Sequence, residues 1–468
     1  MKAKHIFTIT LATALMSSCG VLKNYNRNDI VDINTDNIYG DAQSGDSLGL
    51  GDLKWRDIFT DPTLQSLIEK ALVQNTDIKN TDLQLQEIQY ALKASKLAFI
   101  PSMYFTPQGN VSKMYDPYQR SQYSTMTQGN NKTFGLPVTF GWQNVNFFAL
   151  RNQKKGAEIN REQLHNAKQA VQAALVANVA SLYYSLCMLD EQKSLTEKTR
   201  DNWALYLEKQ RLLMEAGQAN TAAVASIEAT YYSICQGVLS LDENIRIMEN
   251  ALCTLLGESN AKISRNALST FQAPAIVTTG APISILSRRP DVRGAELALA
   301  SAFYDSNKAK SAFFPSLTLS STGTFTNSFG QSVINPGMMI GSAIASLTQP
   351  IFANGALRAQ YKVSKKEMEI AANNFQQAVV EAGNEVNTAM HELKIAEEQK
   401  DLINKQVSSL ETALSATEKL YAMSSMNYLN VITAQNSLLQ AQMSQISNRM
   451  DAINATIDLY QALGGGTE

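Results

Sequence analysis

The second half of this chain restates the first at a nearly fixed distance, and that duplication constrains the fold more than any local pattern does. Ala98, Phe99, Pro101, Ser102 and Gly109 recur 214 positions later as Ala312, Phe313, Pro315, Ser316 and Gly323. Leu150, Arg151, Val179, Val224, Leu252, Leu256 and Gly257 recur 207 positions later as Leu357, Arg358, Val386, Val431, Leu459, Leu463 and Gly464. The offset holds over a long helical stretch and slips by one heptad across a shorter region rich in turn residues. A chain of 468 residues could hold about three ordinary domains. A repeat of this length makes it instead one architecture of two matched halves.

The long part of each half carries heptads. Ile234, Val238, Leu241, Ile245, Met248, Leu252 and Leu255 form one seam; Ile403, Val407, Leu410, Leu414, Thr417 and Tyr421 form a second. A third runs through Leu439, Met443, Ile446, Met450, Ile453, Ile457 and Tyr460. Steps of three and four residues sustained this long are coiled-coil seams. The pattern predicts helices near 62–98, 150–213, 222–257, 290–312, 356–420 and 427–463. At ~1.5 Å per residue, some of these are on the order of 90 Å long, which predicts an elongated body. Ala, Ser, Asn and Gln flank the seams, as in Ala167 to Ala180 and Ala371 to Ala389. Such flanks suit a plain antiparallel bundle, or a wall of helices with one wet face.

Between the helices the period changes to two. Phe134, Leu136, Val138, Phe140 and Trp142 alternate, as do Leu317, Leu319, Ser321, Gly323 and Phe325, with Thr or Ser between most of the latter. Met103, Phe105, Pro107, Gly109 and Val111 form a weaker run, and Met338 to Gln349 an ambiguous one. Alternation over roughly ten residues is the pattern of a transmembrane barrel strand; the competing reading is a soluble β-sandwich appendage. Four strands cannot close a membrane barrel, and open edges are not viable in lipid. A dimer would supply eight strands, an interior just filled by side chains, so a conducting pore needs at least a trimer of twelve.

The first residues place Lys2 and Lys4 before an apolar stretch from Ile6 to Met16, then Ser17-Ser18-Cys19-Gly20. A basic start, a short apolar run and small residues form an export signal, and Cys19 directly after them resembles a lipoprotein acceptor. Cys187, Cys235 and Cys253 sit in helical apolar patterns and read as packed thiols. Residues 21–51, rich in Asn, Asp, Ser and Gly, read as an extended tether. Charged residues are 18% and the net charge is -2, which gives no reason to expect a nucleic-acid partner. Beyond the first twenty residues no uninterrupted apolar run reaches the roughly 18 residues of a membrane-spanning helix.

The most specific string is Leu286-Ser287-Arg288-Arg289-Pro290-Asp291-Val292, followed by Ala295-Glu296 and by Ala312-Phe313-Phe314-Pro315-Ser316-Leu317. Pro290 suits a first helical position, and Asp291 and Glu296 place negative charge near that helix start. Phe314-Pro315 ends the helix and opens a strand. With the duplication, this string closely resembles the TolC-like outer-membrane efflux protein family, in its lipoprotein branch serving resistance-nodulation-division pumps. Further matches are Trp55 with Phe59, Asp61, Pro62 and Leu64; Gln349-Pro350-Ile351-Phe352 with Gly355 and Leu357-Arg358; and Tyr428-Leu429 with Val431. The resemblance runs from about Leu53 to Gly464.

It implies a mainly α fold with a membrane β-barrel part: a homotrimer whose long antiparallel helices form an α-barrel and whose four strands per chain share a twelve-stranded barrel. It places the protein in the outer membrane of a Gram-negative bacterium, anchored by a covalent lipid on Cys19, with no other cofactor. It implies a periplasmic adaptor and an inner-membrane pump as partners. The boundaries that follow are a signal peptide over 1–18, a lipidated tether over 19–51, a first repeat over 52–265 with strands near 103–112 and 132–145, and a second over 282–468 with strands near 316–327 and 338–350. The expected function is the exit duct of a tripartite efflux system; the alternatives are a type I protein secretion duct and an exported coiled-coil structural protein. The chain is not expected to be an enzyme: His165 and His391 stand alone on helices, and no phosphate-binding Gly loop or nucleophile elbow occurs.

The resemblance also puts the helix turns near Gly217 and Ser424 at a periplasmic tip. Family members commonly have Gly at both turns; Ser424 departs. Some close the tip with acidic residues and a Tyr-to-Asp link. Tyr421 holds the Tyr position, but Asn430 and Thr433 stand where acids would be and Ala223 replaces the linking Asp. Closure by packing and neutral hydrogen bonds is the expectation.

Overall fold

A computed structural model describes residues 23–31, 54–113, 130–268, 271, 289–328, 339–423 and 428–465. The helices are α1 (Trp55–Ile58), α2 (Pro62–Gln74), α3 (Thr76–Leu97), α4 (Phe147–Glu215), α5 (Thr221–Leu255), α6 (Pro290–Ser311), α7 (Ala356–Ala422) and α8 (Tyr428–Ala462). The strands are β1 (Ser102–Phe105), β2 (Gln108–Lys113), β3 (Asn130–Val145), β4 (Ser316–Ser328) and β5 (Met339–Thr348). Contacts gather the chain into two units that cut across the repeat. One holds residues up to Val31, Gln86–Glu162 and Glu296–Asn373; the other holds Asp32–Leu85, Gln163–Ala295 and Asn374–Glu468. Each unit draws on both halves.

The first unit contains one antiparallel sheet in the order β1-β3-β4-β5, with β2 also on β3. The run read as a single strand near 103–112 is broken in two, yet its register continues: Phe105 faces Val138 and Gln108 faces Gly135. Proline causes the break. Thr106 N–H donates to the Pro137 carbonyl at 3.2 Å, whereas Pro137 and Pro107 have no N–H to give the ladder. The five segments therefore make four rows. β1 and β2 leave one outer edge of the sheet, and β5 leaves the other.

Register sorts the two faces. Met103 faces Phe140, Phe105 faces Val138, Trp142 faces Leu319, Leu136 faces Phe325, Leu317 faces Leu347 and Phe325 faces Met339. The alternate pairs are Thr139 with Thr322, Thr318 with Ser346 and Ser316 with Thr348, and the hydroxyls of Thr139 and Thr322 lie 2.9 Å apart. One face is thus largely apolar, interrupted by Ser321 opposite Phe140 and Asn327 opposite Phe134, and the other is hydroxyl-rich, with Ile340 and Ile344 of β5 among its residues. A Cβ on Gly141 would collide with the Leu319 carbonyl, so this position, next to the register shift at Trp142 and Val145, requires glycine.

Each half delivers its helix to the sheet in the same way. At the ends of α3 and α6 the bonding tightens to three residues, with Ile100 N–H on the Leu97 carbonyl at 2.9 Å and Phe314 N–H on Ser311 at 3.0 Å. Pro101 and Pro315 then prevent continuation. Pro315 accordingly stands between α6 and β4. Asn146 fastens the start of α4 beside this junction, its amide donating to the carbonyls of Ser311 at 2.7 Å and Phe314 at 3.2 Å.

In the second unit the seams of α5 and α8 are largely buried, whereas that of α7 is half-buried apart from Val407. Ile234, Val238, Ile245 and Leu252 of α5 are inside, and so are Ile446, Met450, Ile453, Ile457 and Tyr460 of α8. The stretch read as one helix over 62–98 is two, because Asn75 interrupts it: its side-chain oxygen accepts the Asp77 N–H at 2.8 Å and caps α3. One window of α4 is apolar enough to cross a membrane by composition, but 56% of it is buried, and its Val176, Val179, Tyr183 and Leu186 are core.

The repeat reappears as matched helix ends. After α5, the N–H of Gly257 bonds the Thr254 carbonyl and that of Glu258 bonds Cys253; after α8, Gly464 bonds Gln461 and Gly465 bonds Tyr460. Both are Schellman caps on a left-handed glycine, with φ of 67° at Gly257 and 99° at Gly464.

Candidate functional site

Two places in the second unit gather the residues the sequence singled out. The first follows α4, where the helix ends in a third Schellman cap: Gly217 has φ 73°, its N–H bonds the Met214 carbonyl at 2.9 Å, and Gln218 N–H bonds Leu213 at 2.8 Å. Asn220 then starts α5, its side chain accepting the Ala223 N–H at 2.8 Å. Five residues, Ala216 to Asn220, suffice to join the two helices. The opposite turn contains Ser424, which lies outside the described residues.

Beside these ends Trp203, Leu207, Val224, Ile227, Ile234, Tyr428, Val431 and Ile432 form a buried cluster, against which Tyr206 and Tyr421 pack. Tyr428 sits between the other two tyrosines, 5.2 Å from the Tyr421 ring and 6.0 Å from that of Tyr206. The Tyr421 hydroxyl reaches Gln210 at 3.3 Å and the Tyr206 hydroxyl donates to Glu418 at 2.6 Å. Burial, and then the Glu418 carboxylate, push the Tyr206 hydroxyl up to about 12, so it remains a donor at neutral pH. A cavity of 280 Å³ lies among Tyr206, Gln210, Glu418, Tyr421 and Tyr428.

Two polar groups of this cluster, the Trp203 indole N–H and the Tyr428 hydroxyl, are buried without a hydrogen-bond partner. Each costs about 1–3 kcal/mol relative to a satisfied group. The cluster is therefore under-satisfied, and a rearrangement that paired either group would recover part of that cost. Asn430 and Thr433 are exposed, and Thr433 bonds the Leu429 carbonyl of its own helix at 2.9 Å. Tyr421 is thus brought into the cluster, whereas Asn430 and Gly217 are outside it. Sequence reasoning missed Gln210, Glu418 and Tyr206: the bonds that join them cross more than two hundred residues, and no local pattern marks them.

The second place is built on Arg289, whose side chain is only 5% exposed. Its guanidinium makes a bidentate pair with Asp291 at 3.0 and 2.7 Å, reaches the Glu385 carboxylate, and donates to the Ala462 carbonyl at 2.7 Å. Pro290 occupies the first position of α6. Burial opposes ionisation of Asp291, but Arg289 and the Val292 N–H outweigh it and hold the carboxyl below its usual range. The arrangement ties the start of α6 to the last turn of α8 through one buried cation. Glu296, in the first unit, is 3.8 Å from Arg27. Cys19 lies outside the described residues, among which no group of three or more His, Cys, Asp or Glu could hold a metal.

Duplicated helical hairpins joined to a two-faced sheet with open edges define a channel-subunit class of fold. The chain belongs to the outer membrane efflux protein family, which it matches over residues 67–258 and 281–465. It is 26% identical over 437 residues to the probable efflux pump outer membrane protein TtgC of Pseudomonas putida, over 92% of this chain and 88% of the relative. To the cation efflux system protein CusC of Escherichia coli K12 it is 27% identical over 422 residues, 88% of each chain. A solved structure of CusC has the same fold, with a TM-score of 0.82 at 23% identity over 95% of this chain and 99% of that one.

Proposed function

We propose that three copies of this chain form the outer-membrane exit duct of a tripartite efflux system, conducting small toxic compounds passively. The observation that carries this reading is the sheet: an apolar band on one face, a hydroxyl-rich opposite face, and two outer edges whose side chains, such as Met103, Phe105, Met339 and Leu347, are exposed. In lipid such edges must pair. Pairing β1 and β2 of one copy with β5 of the next closes twelve rows around a pore lined largely by Thr and Ser. β3, β4 and β5 have 16, 13 and 10 residues, and a tilted membrane strand needs roughly 9–11.

The same reading gives the chain a covalent lipid on Cys19 and, as partners, a periplasmic adaptor and an inner-membrane pump that supplies the energy and selects the cargo. The efflux names of the relatives support it. The periplasmic end closes through the Tyr206, Tyr421 and Tyr428 cluster, with Gly217 and Ser424 turning the chain at its tip. Asn430 and Thr433 offer no acidic ring there. The decisive experiment images the detergent-purified protein and reconstitutes it in planar bilayers. A threefold particle with stepwise conductance is expected; a monomer that does not conduct would refute the duct. An Asn430→Ala variant should leave ion selectivity as it was, and a loss of strong cation selectivity would show that closure rests on that position after all.

A further inference from the structure

Within the stretch that reads as an extended tether, Lys23–Val31 has a fixed seat on α6. The Tyr25 ring stacks edge-on against Phe303 at 5.9 Å, its backbone N–H donates to the Tyr304 hydroxyl at 3.2 Å, and its own hydroxyl is buried. Two residues on, Arg27 lies 3.8 Å from Glu296. A single 3-10 turn over Arg27–Asp29 follows, pinned by the Asn26 amide on Asp29 at 3.2 Å, and it delivers Val31 into a buried position, 6% exposed. An aromatic and an ionic contact within three residues meet two levels of one helix, and the segment ends in a buried aliphatic side chain. A tether that only spanned distance would need none of them.

We propose that residues 24–31 are a docking segment that fixes where the N-terminal lipid enters the membrane. The proposal rests on lipidation of Cys19. Tyr25 is the sixth residue after Cys19, so at ~3.5 Å per step the lipid attaches within about 20 Å of the docked ring. From Phe303 the last two turns of α6 rise only about 12 Å to Ser311, just before β4 begins. The acyl chains are thereby held beside the base of the sheet. Without the dock, a tether free as far as Lys54 would let the lipid wander on the order of 30 Å. The lipid and the strands then enter the bilayer as neighbours and share one attachment to α6.

The test uses the full-length protein in isolated outer membranes, with a photo-crosslinking benzoylphenylalanine in place of Arg27 and mass analysis of the N-terminal peptide. Crosslinks confined to α6 near Glu296 are expected. In a Tyr25→Ser, Val31→Asp background their yield should fall roughly tenfold, as loss of an aromatic pair and a buried aliphatic group implies, while the acyl mass on Cys19 is unchanged. Crosslinks scattered over other helices, or a yield indifferent to those substitutions, with Cys19 acylated, would overturn the docking alone. An unmodified Cys19 peptide would overturn the lipidation reading and the anchoring role with it, whatever the crosslink shows.

Discussion

The Arg289 guanidinium donates to the carbonyl of Ala462 in the last turn of α8 at 2.7 Å, and the other repeat contains the same bond in different chemistry. Asn75 donates to the carbonyl of Leu255 in the last turn of α5 at 3.2 Å. Asn75 lies 214 residues before Arg289, and Leu255 lies 207 before Ala462, the two offsets of the sequence repeat. In each half the residue that precedes a helix satisfies an orphan carbonyl at the end of a coiled coil. One half uses a neutral amide and the other a buried cation.

Removing the two donors should therefore not cost the same. Arg289→Ala leaves Glu385, Asp291 and two carbonyls without their cation and should destabilise by about 3–4 kcal/mol; Asn75→Ala removes a cap and one bond, about 1–2 kcal/mol. Arg289→Lys should recover little, because an ammonium cannot reproduce the bidentate geometry. Thermal melts of the three variants would rank them, and an Arg289→Ala melt equal to that of Asn75→Ala would contradict the assignment.

The Arg289–Asp291 pair also predicts an acid-side sensitivity. The Asp291 carboxyl is held below its unfolded value by Arg289 against the opposing effect of burial. Its contribution is present above the ordinary carboxylate range near ~3.9 and disappears as pH falls through the depressed native value. Melting temperature should thus drop more between pH 5 and pH 3 (roughly the carboxylate titration range) in the wild type than in Asp291→Asn.

At the tyrosine cluster, two substitutions of one kind should move in opposite directions. Tyr206→Phe loses the bond to Glu418 and should destabilise by about 1–2 kcal/mol. Tyr428→Phe deletes a buried hydroxyl that has no partner, and should be neutral or stabilising by up to ~1 kcal/mol. If this cluster closes the duct, the first raises leak conductance in a planar bilayer and the second does not.

Glycines with the same backbone sign should differ by what surrounds them. Gly217→Ala meets open space and incurs only the left-handed strain of roughly 1–2 kcal/mol. Gly464→Ala meets only ordinary contacts, but its φ of 99° lies further from the left-handed well than the 73° of Gly217, so it should cost more. Gly141→Ala, which collides with the Leu319 carbonyl, should lower the yield of folded protein most of all, as read from heat-modifiable bands on gels.

The helices and the face of each strand were legible in the sequence because they follow periodicities that burial imposes: Ile453 and Ile457 had to be inside, and Phe140 and Leu319 had to share a face. Breaks were less so. Asn75 splits a helix that its apolar pattern would carry through, since a cap depends on a side chain turned back on its own backbone. Pro107 was visible as a weak spot, but that Pro137 falls opposite its neighbour Thr106 is a fact of register. The Gln210 and Glu418 contacts and the seat of Tyr25 on Phe303 join residues far apart in the chain, and only folding brings them together.

Both outer rows of the sheet present unsatisfied backbone groups along their length, and this sets an order of events during biogenesis. A single copy can neither rest in lipid, where those groups have no water, nor wait long in solution, where they invite indiscriminate strand addition. If three copies close the barrel as proposed, insertion and closure are one step. On that reading the exported chain would need its sheet edges shielded until closure.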